Sequence, residues 1–99
     1  MRLNAEQIEV IRKATRSVFG QGAMVRVFGS RLDDKVKGGD IDLLVECPEA
    51  VADRLKKTLT LTARLQRALG DQPIDILVTD PSTQIQRVHE LARRTGVTL

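Results

Sequence analysis

The chain has 99 residues, enough for one domain with a single core and too few for two. Phe19 and Phe28 are its only aromatic residues, so the core must be built from Leu, Ile, Val and Ala, and no aromatic platform for a base can be picked out. The formal charge of +3 comes from 16 Lys and Arg interspersed with 13 Asp and Glu, which describes a mixed-charge surface rather than a basic stripe for nucleic acid.

The first helix has a readable start. Asn4 is a good N-cap, Gln7 stands three residues later as its capping-box partner, and Leu3 can staple against Ile8. Ile8, Ile11, Thr15 and Val18 recur at helical spacing until Gly20 and Gly22 end the helix and lead into a strand, Met24 to Phe28. Phe28-Gly29-Ser30-Arg31 then forms a turn. Gly29 allows close backbone approach, and the following N–H groups and the Ser30 hydroxyl can donate to phosphate oxygens. Arg31 can bind a triphosphate as a bidentate donor or pair locally with Asp33 or Asp34, and Lys35 and Lys37 are similarly ambiguous.

After an eight-residue gap comes Asp40-Ile41-Asp42-Leu43-Leu44-Val45, with Gly38-Gly39 giving backbone latitude just before it. The side-chain period of a strand is two, so Asp40 and Asp42 share one face while Ile41, Leu43 and Val45 share the other. Side-by-side carboxylates repel unless a cation lies between them. Carboxylate oxygens suit Mg²⁺, which typically uses one or two protein carboxylates together with substrate phosphates. The bland alternative, a solvated edge strand, fits poorly with the apolar run from Ile41 to Val45.

Cys47, the only cysteine, excludes an intramolecular disulfide and reads as a buried structural thiol at the strand's end. Pro48 suits the first turn of a second helix whose apolar face is Val51, Leu55, Leu59, Thr62, Leu65 and Leu69, closed by Gly70. Arg54, Lys56, Lys57, Arg64 and Arg67 decorate it as a solvated face. Pro73 to Val78 is another strand, with Asp75 the third acid or, alternatively, a plain exposed residue at the strand's start. If it pairs beside the Asp40 strand with matching faces, Asp40, Asp42 and Asp75 converge on one or two metal ions. Asp80 or Ser82 can cap a third helix with Ile85, Val88 and Leu91 or Ala92 inward and Gly96 at its end. His89, the only histidine, falls beside Val88 in a surface or half-buried role.

Leu44 and Leu77 lie on the same faces as the acids. They need a cover from the third helix, a second subunit or another protein. No segment approaches the ~18 apolar residues of a membrane span, and the protein is expected to be a single cytoplasmic domain over residues 1–99.

The ordered set Gly29-Ser30-Arg31, Gly39-Asp40-Ile41-Asp42-Leu43 and Asp75 resembles the nucleotidyltransferase superfamily of DNA polymerase β type. A chain this short is similar to the minimal nucleotidyltransferases (MNT), often antitoxin partners of HEPN-domain proteins. Gly39 in place of Ser before the first Asp, and Asp33 and Asp34 in the intervening loop, depart from the commonest form of the motif. The resemblance implies an α/β (α+β) fold, a small mixed sheet with packed helices in the order α-β-β-α-β-α. It implies metal-dependent transfer of a nucleoside monophosphate, AMP from ATP or the monophosphate of another NTP, to a hydroxyl, with a Tyr of a HEPN toxin as acceptor; the residues themselves leave the choice of nucleotide unread. Asp40, Asp42 and Asp75 would be catalytic and hold two Mg²⁺ ions, with Mn²⁺ as a substitute, and Gly29, Ser30, Arg31 and Gly39 would bind the nucleotide. A homo-oligomer is compatible with this reading. Two rivals belong to other classes: a module that neutralises its partner by contact alone, and a nucleic-acid-binding regulator favoured only by the pI.

Overall fold

Asn4 caps the first helix, α1 (Ala5–Phe19), as its sequence suggests: the Asn4 side chain accepts from the Gln7 N–H at 2.8 Å, and the Gln7 side chain accepts from the Asn4 N–H at 3.0 Å. The computed structural model describes residues 3–29 and 40–99. Ile11 and Thr15 form the buried stripe of α1, and the Thr15 hydroxyl donates to the Ile11 carbonyl at 2.7 Å, so that buried hydroxyl is satisfied. Gly20 ends the helix with φ +105, and β1 (Met24–Phe28) follows.

The remaining elements are β2 (Ile41–Glu46), α2 (Arg54–Leu69), β3 (Ile74–Thr79), α3 (Arg87–Thr95) and β4 (Val97–Thr98). They form one mixed sheet in the order β3-β2-β1-β4, in which β1 runs antiparallel to β2 and β4 while β3 runs parallel to β2. The expected order of elements holds, with β4 added at the end. Two residues are too short a run for side-chain alternation to announce a strand.

Val25, Val27, Ile41, Leu43, Val45, Ile74 and Val78 point to one face, where they meet Ile11, Leu61 and Leu65 of α1 and α2. The opposite face carries Leu44, which is fully buried together with Ala92 of α3, and α3 packs across β1 and β2. The cover that the sequence demands for Leu44 thus comes from the third helix. Burying one leucine contributes about 1.5–3 kcal/mol, and Leu77 beside it is half-buried.

α3 is also held by charge. Glu46 accepts from Arg26 Nε at 2.6 Å and from Arg93 Nε at 2.9 Å, tying helix to sheet through one carboxylate.

Two helices differ from expectation. α2 begins at Arg54, not at Pro48, because the Cys47 N–H still pairs with the Thr79 carbonyl and the lead-in is fastened where the Val51 N–H meets Asp80. Its inward stripe is Leu61 and Leu65; Leu55 and Leu59 are 73% and 60% exposed. α3 begins at Arg87, after Gln86, whose N–H donates to His89 Nδ1 at 3.0 Å. Asp80 and Ser82 do not cap it, since they bond each other. Ile85 precedes the helix, and Ala92 alone is buried while Val88 and Leu91 stay largely exposed.

Candidate functional site

β2 and β3 lie side by side in register, and their pairing sets Asp42 directly opposite Asp75. In a parallel pair, opposite residues point to the same face. The two carboxylates therefore share the face that also carries Leu44 and Leu77. Asp40 immediately precedes β2, two residues from Asp42, on the same side of the chain's alternation. The strand pairing on which a convergence of the acids depends is thus present for Asp42 and Asp75.

Their electrostatics agree with that proximity. Burial pushes the Asp42 carboxyl above the ordinary carboxylate value, and the negative charges of Asp75 and Asp40 and a side-chain hydrogen bond with Asp75 push it the same way. Asp42 is half-buried, whereas Asp40 and Asp75 are exposed. Among the described residues, no cationic side chain pairs with Asp42 or Asp75.

On the other side of Asp42, β1 places Phe28 as its register partner and Gly29 just beyond. Gly29 has φ +77, and a Cβ at this position would run into the Asp42 carboxylate oxygen Oδ2. Glycine is needed here twice over, for the left-handed backbone and for space against Asp42. Ser30, Arg31 and Gly39, expected in the nucleotide site, lie outside the described residues, as do Gly38, Asp33, Asp34, Lys35 and Lys37.

The donor set is all oxygen: two facing carboxylates with a third beside them. Among the described residues, no group of three or more His, Cys, Asp or Glu side chains is placed to hold a metal ion, so Asp40, Asp42 and Asp75 do not make a complete site by themselves. The facing carboxylates of Asp42 and Asp75 offer oxygen donors of the kind Mg²⁺ takes, and the rest of its coordination would have to come from substrate phosphates.

A cavity of about 390 Å³ lies at the other end of the sheet, lined by Arg26, Glu46, Cys47, Thr79, Asp80 and Arg93. Its charges already satisfy one another. Glu46 is held by Arg26 and Arg93, and Asp80 is 1% exposed at its side chain, with Arg54 at 2.9 Å. Burial, and next the neighbouring Asp80, push the Cys47 thiol up, which disfavours its reactive thiolate form. The sequence offered no signal for the Glu46 and Asp80 clusters, because their arginines come from distant segments.

A family model described as a nucleotidyltransferase domain matches residues 8–94. A search of curated proteins found no match to the chain.

Proposed function

Because the chain belongs to the nucleotidyltransferase domain family, we propose that it transfers AMP from ATP to the Tyr hydroxyl of a HEPN-domain protein and thereby acts as an antitoxin. The observation that carries the chemistry is the facing pair Asp42 and Asp75, set beside a glycine whose missing Cβ leaves the Asp42 carboxylate open. Such a pair gains nothing for the fold from its mutual repulsion. The partner and acceptor rest on the resemblance to minimal nucleotidyltransferases.

Asp40, Asp42 and Asp75 would hold Mg²⁺, most simply two ions, with Mn²⁺ able to substitute. When bound, Mg²⁺ neutralises the triphosphate and lowers the pKa of the acceptor hydroxyl. Asp75, the more exposed of the facing pair, would take up the acceptor's proton as the acceptor's hydroxyl oxygen forms a bond to the α-phosphorus. The bond from the α-phosphorus to the bridging oxygen breaks, and pyrophosphate leaves with that electron pair. Gly29 brings the backbone close to the carboxylates, and Ser30, Arg31 and Gly39 would cradle the phosphates. Catalysis of this kind is mainly positioning and charge neutralisation.

Mass spectrometry of a co-expressed HEPN protein tests the reading. Wild type is expected to add one AMP to a tyrosine, and Asp42→Asn to add none. An unmodified partner that is nonetheless neutralised would replace transfer with inhibition by contact alone.

A further inference from the structure

We propose that two copies of this chain associate about a twofold axis, joining their β3 strands edge to edge and burying Leu55 and Leu59 of both α2 helices between them. The inference begins with the two edges of the sheet, which are finished differently. On one side the sheet stops at β4, only two residues long. On the other it stops at β3, six residues long, whose sequence Ile-Asp-Ile-Leu-Val-Thr contains no Lys, Pro or bulge to blunt it.

The outward peptide groups of β3 can be named. The Pro73 carbonyl accepts from the Ile41 N–H at 2.9 Å and the Thr79 carbonyl from the Cys47 N–H at 2.8 Å, so odd-numbered residues direct their peptide groups toward β2. By alternation, Ile74, Ile76 and Val78 direct theirs away from the sheet. Among the described residues, no cross-element backbone partner meets those groups.

The second observation lies on α2. α1 packs against β1 and α2 against β3, and Arg64 of α2 reaches Ser17 of α1 at 2.8 Å, which marks the flank of α2 that faces α1. Leu55, Leu59, Thr62 and Gln66 fall on the opposite flank, above the open edge of β3. Their spacing of four, three and four residues is that of a helix seam. This stripe carries no charge, although the helix contains five basic residues, Arg54, Lys56, Lys57, Arg64 and Arg67. The Thr62 hydroxyl is satisfied by the Thr58 carbonyl at 2.9 Å and adds no unmet polar demand.

A second copy fits this surface by self-complementarity. An antiparallel pairing centred on Ile76 sets Ile76 opposite itself and Ile74 opposite Val78, so that all three outward residues exchange N–H and C=O groups with their opposites. The same register sets Asp75 opposite Leu77 of the second copy and keeps the two Asp75 carboxylates from facing each other. Each acid pair thereby gains an apolar neighbour on an eight-stranded sheet made from two four-stranded ones.

Sedimentation velocity of the full chain from micromolar to hundreds of micromolar tests the proposal, alongside Leu55→Lys/Leu59→Lys and, as a neutral control, Leu55→Gln/Leu59→Gln. Both leucines are exposed, so circular dichroism of the variants should match wild type. The expected result is a wild-type dimer whose Kd is raised at least about tenfold by the Lys pair. Hydrogen exchange should show the Ile74, Ile76 and Val78 amides protected in wild type and released in that variant. A wild type that stays monomeric throughout would overturn the proposal. So would a dimer unmoved by either double substitution, or one whose three amides exchange as freely as in the Lys variant.

Discussion

β3 carries an aspartate at its start and another just past its end, and the two are treated in opposite ways. Asp80 is buried, and its carboxylate accepts from the Val51 N–H at 2.8 Å, the Ser82 N–H at 2.8 Å, the Ser82 hydroxyl at 2.6 Å and Arg54 at 2.9 Å. Those bonds, the Ser82 hydroxyl foremost, hold its pKa well below the ordinary carboxylate range. Asp75 instead faces Asp42, another acid, and the Asp42 carboxyl is raised. A carboxylate surrounded by donors holds the chain together. Two carboxylates set against each other bring the fold no such donors, which is the ground on which we propose a cation there.

The sharpest way to break this contrast is to neutralise each end in turn. Asp42→Asn or Asp40→Asn should reduce transfer by at least about a hundredfold, the scale of losing one preorganised electrostatic group. The fold should persist, because the change removes repulsion, and the melting temperature should be unchanged or higher. Steady-state transfer assays and thermal melts on the same preparations check both halves. Asp80→Asn should do the reverse, lowering the melting temperature more than either of those substitutions.

Gly29→Ala joins the two kinds of effect. The left-handed backbone costs an alanine roughly 1–2 kcal/mol, and the new methyl also presses on the Asp42 carboxylate. Chemical denaturation should show a loss of at least that size, with transfer falling as well.

A smaller effect lies in the pH dependence of stability without metal. Asp80 has a lowered folded pKa, so its stabilisation is present above the ordinary value of 3.8 and is lost as pH falls through the folded value. Asp42 has a raised folded pKa, so stability is fullest below 3.8 and is lost as pH rises through the folded value. Melts across acid pH should show Asp80→Asn removing the loss on the acid side and Asp42→Asn removing the loss on the rising side.

The features legible in the sequence are those fixed by local spacing. Asn4 and Gln7 announce the first helix because capping needs only neighbours three residues apart. The alternation from Asp40 to Val45 places acids and core on opposite faces before any partner strand is known. What local spacing cannot carry is tertiary choice. Leu55 and Leu59 are as apolar as Leu61 and Leu65, and only docking on β3 decides which pair turns inward. Asp80 reads as a helix cap until Val51 and Arg54, from another segment, engage its oxygens. Ala92 rather than Leu91 meets the sheet because α3 lies close against it, anchored where Arg93 meets Glu46. The facing of Asp42 and Asp75 depended in the same way on which strands pair, and that pairing is parallel and in register.

The most direct test of the central claim, that the Asp42 and Asp75 pair is built to bind a cation with a nucleotide, is the thermal melt of wild type and Asp42→Asn with Mg²⁺ and ATP added together. A ligand that binds only the folded state raises stability by about 2.7 kcal/mol at a hundred times its Kd. Wild type should show a raised melting temperature that chelation of the metal reverses, and Asp42→Asn little or no rise. An equal rise in both proteins, or none in wild type at saturating nucleotide, would contradict that claim.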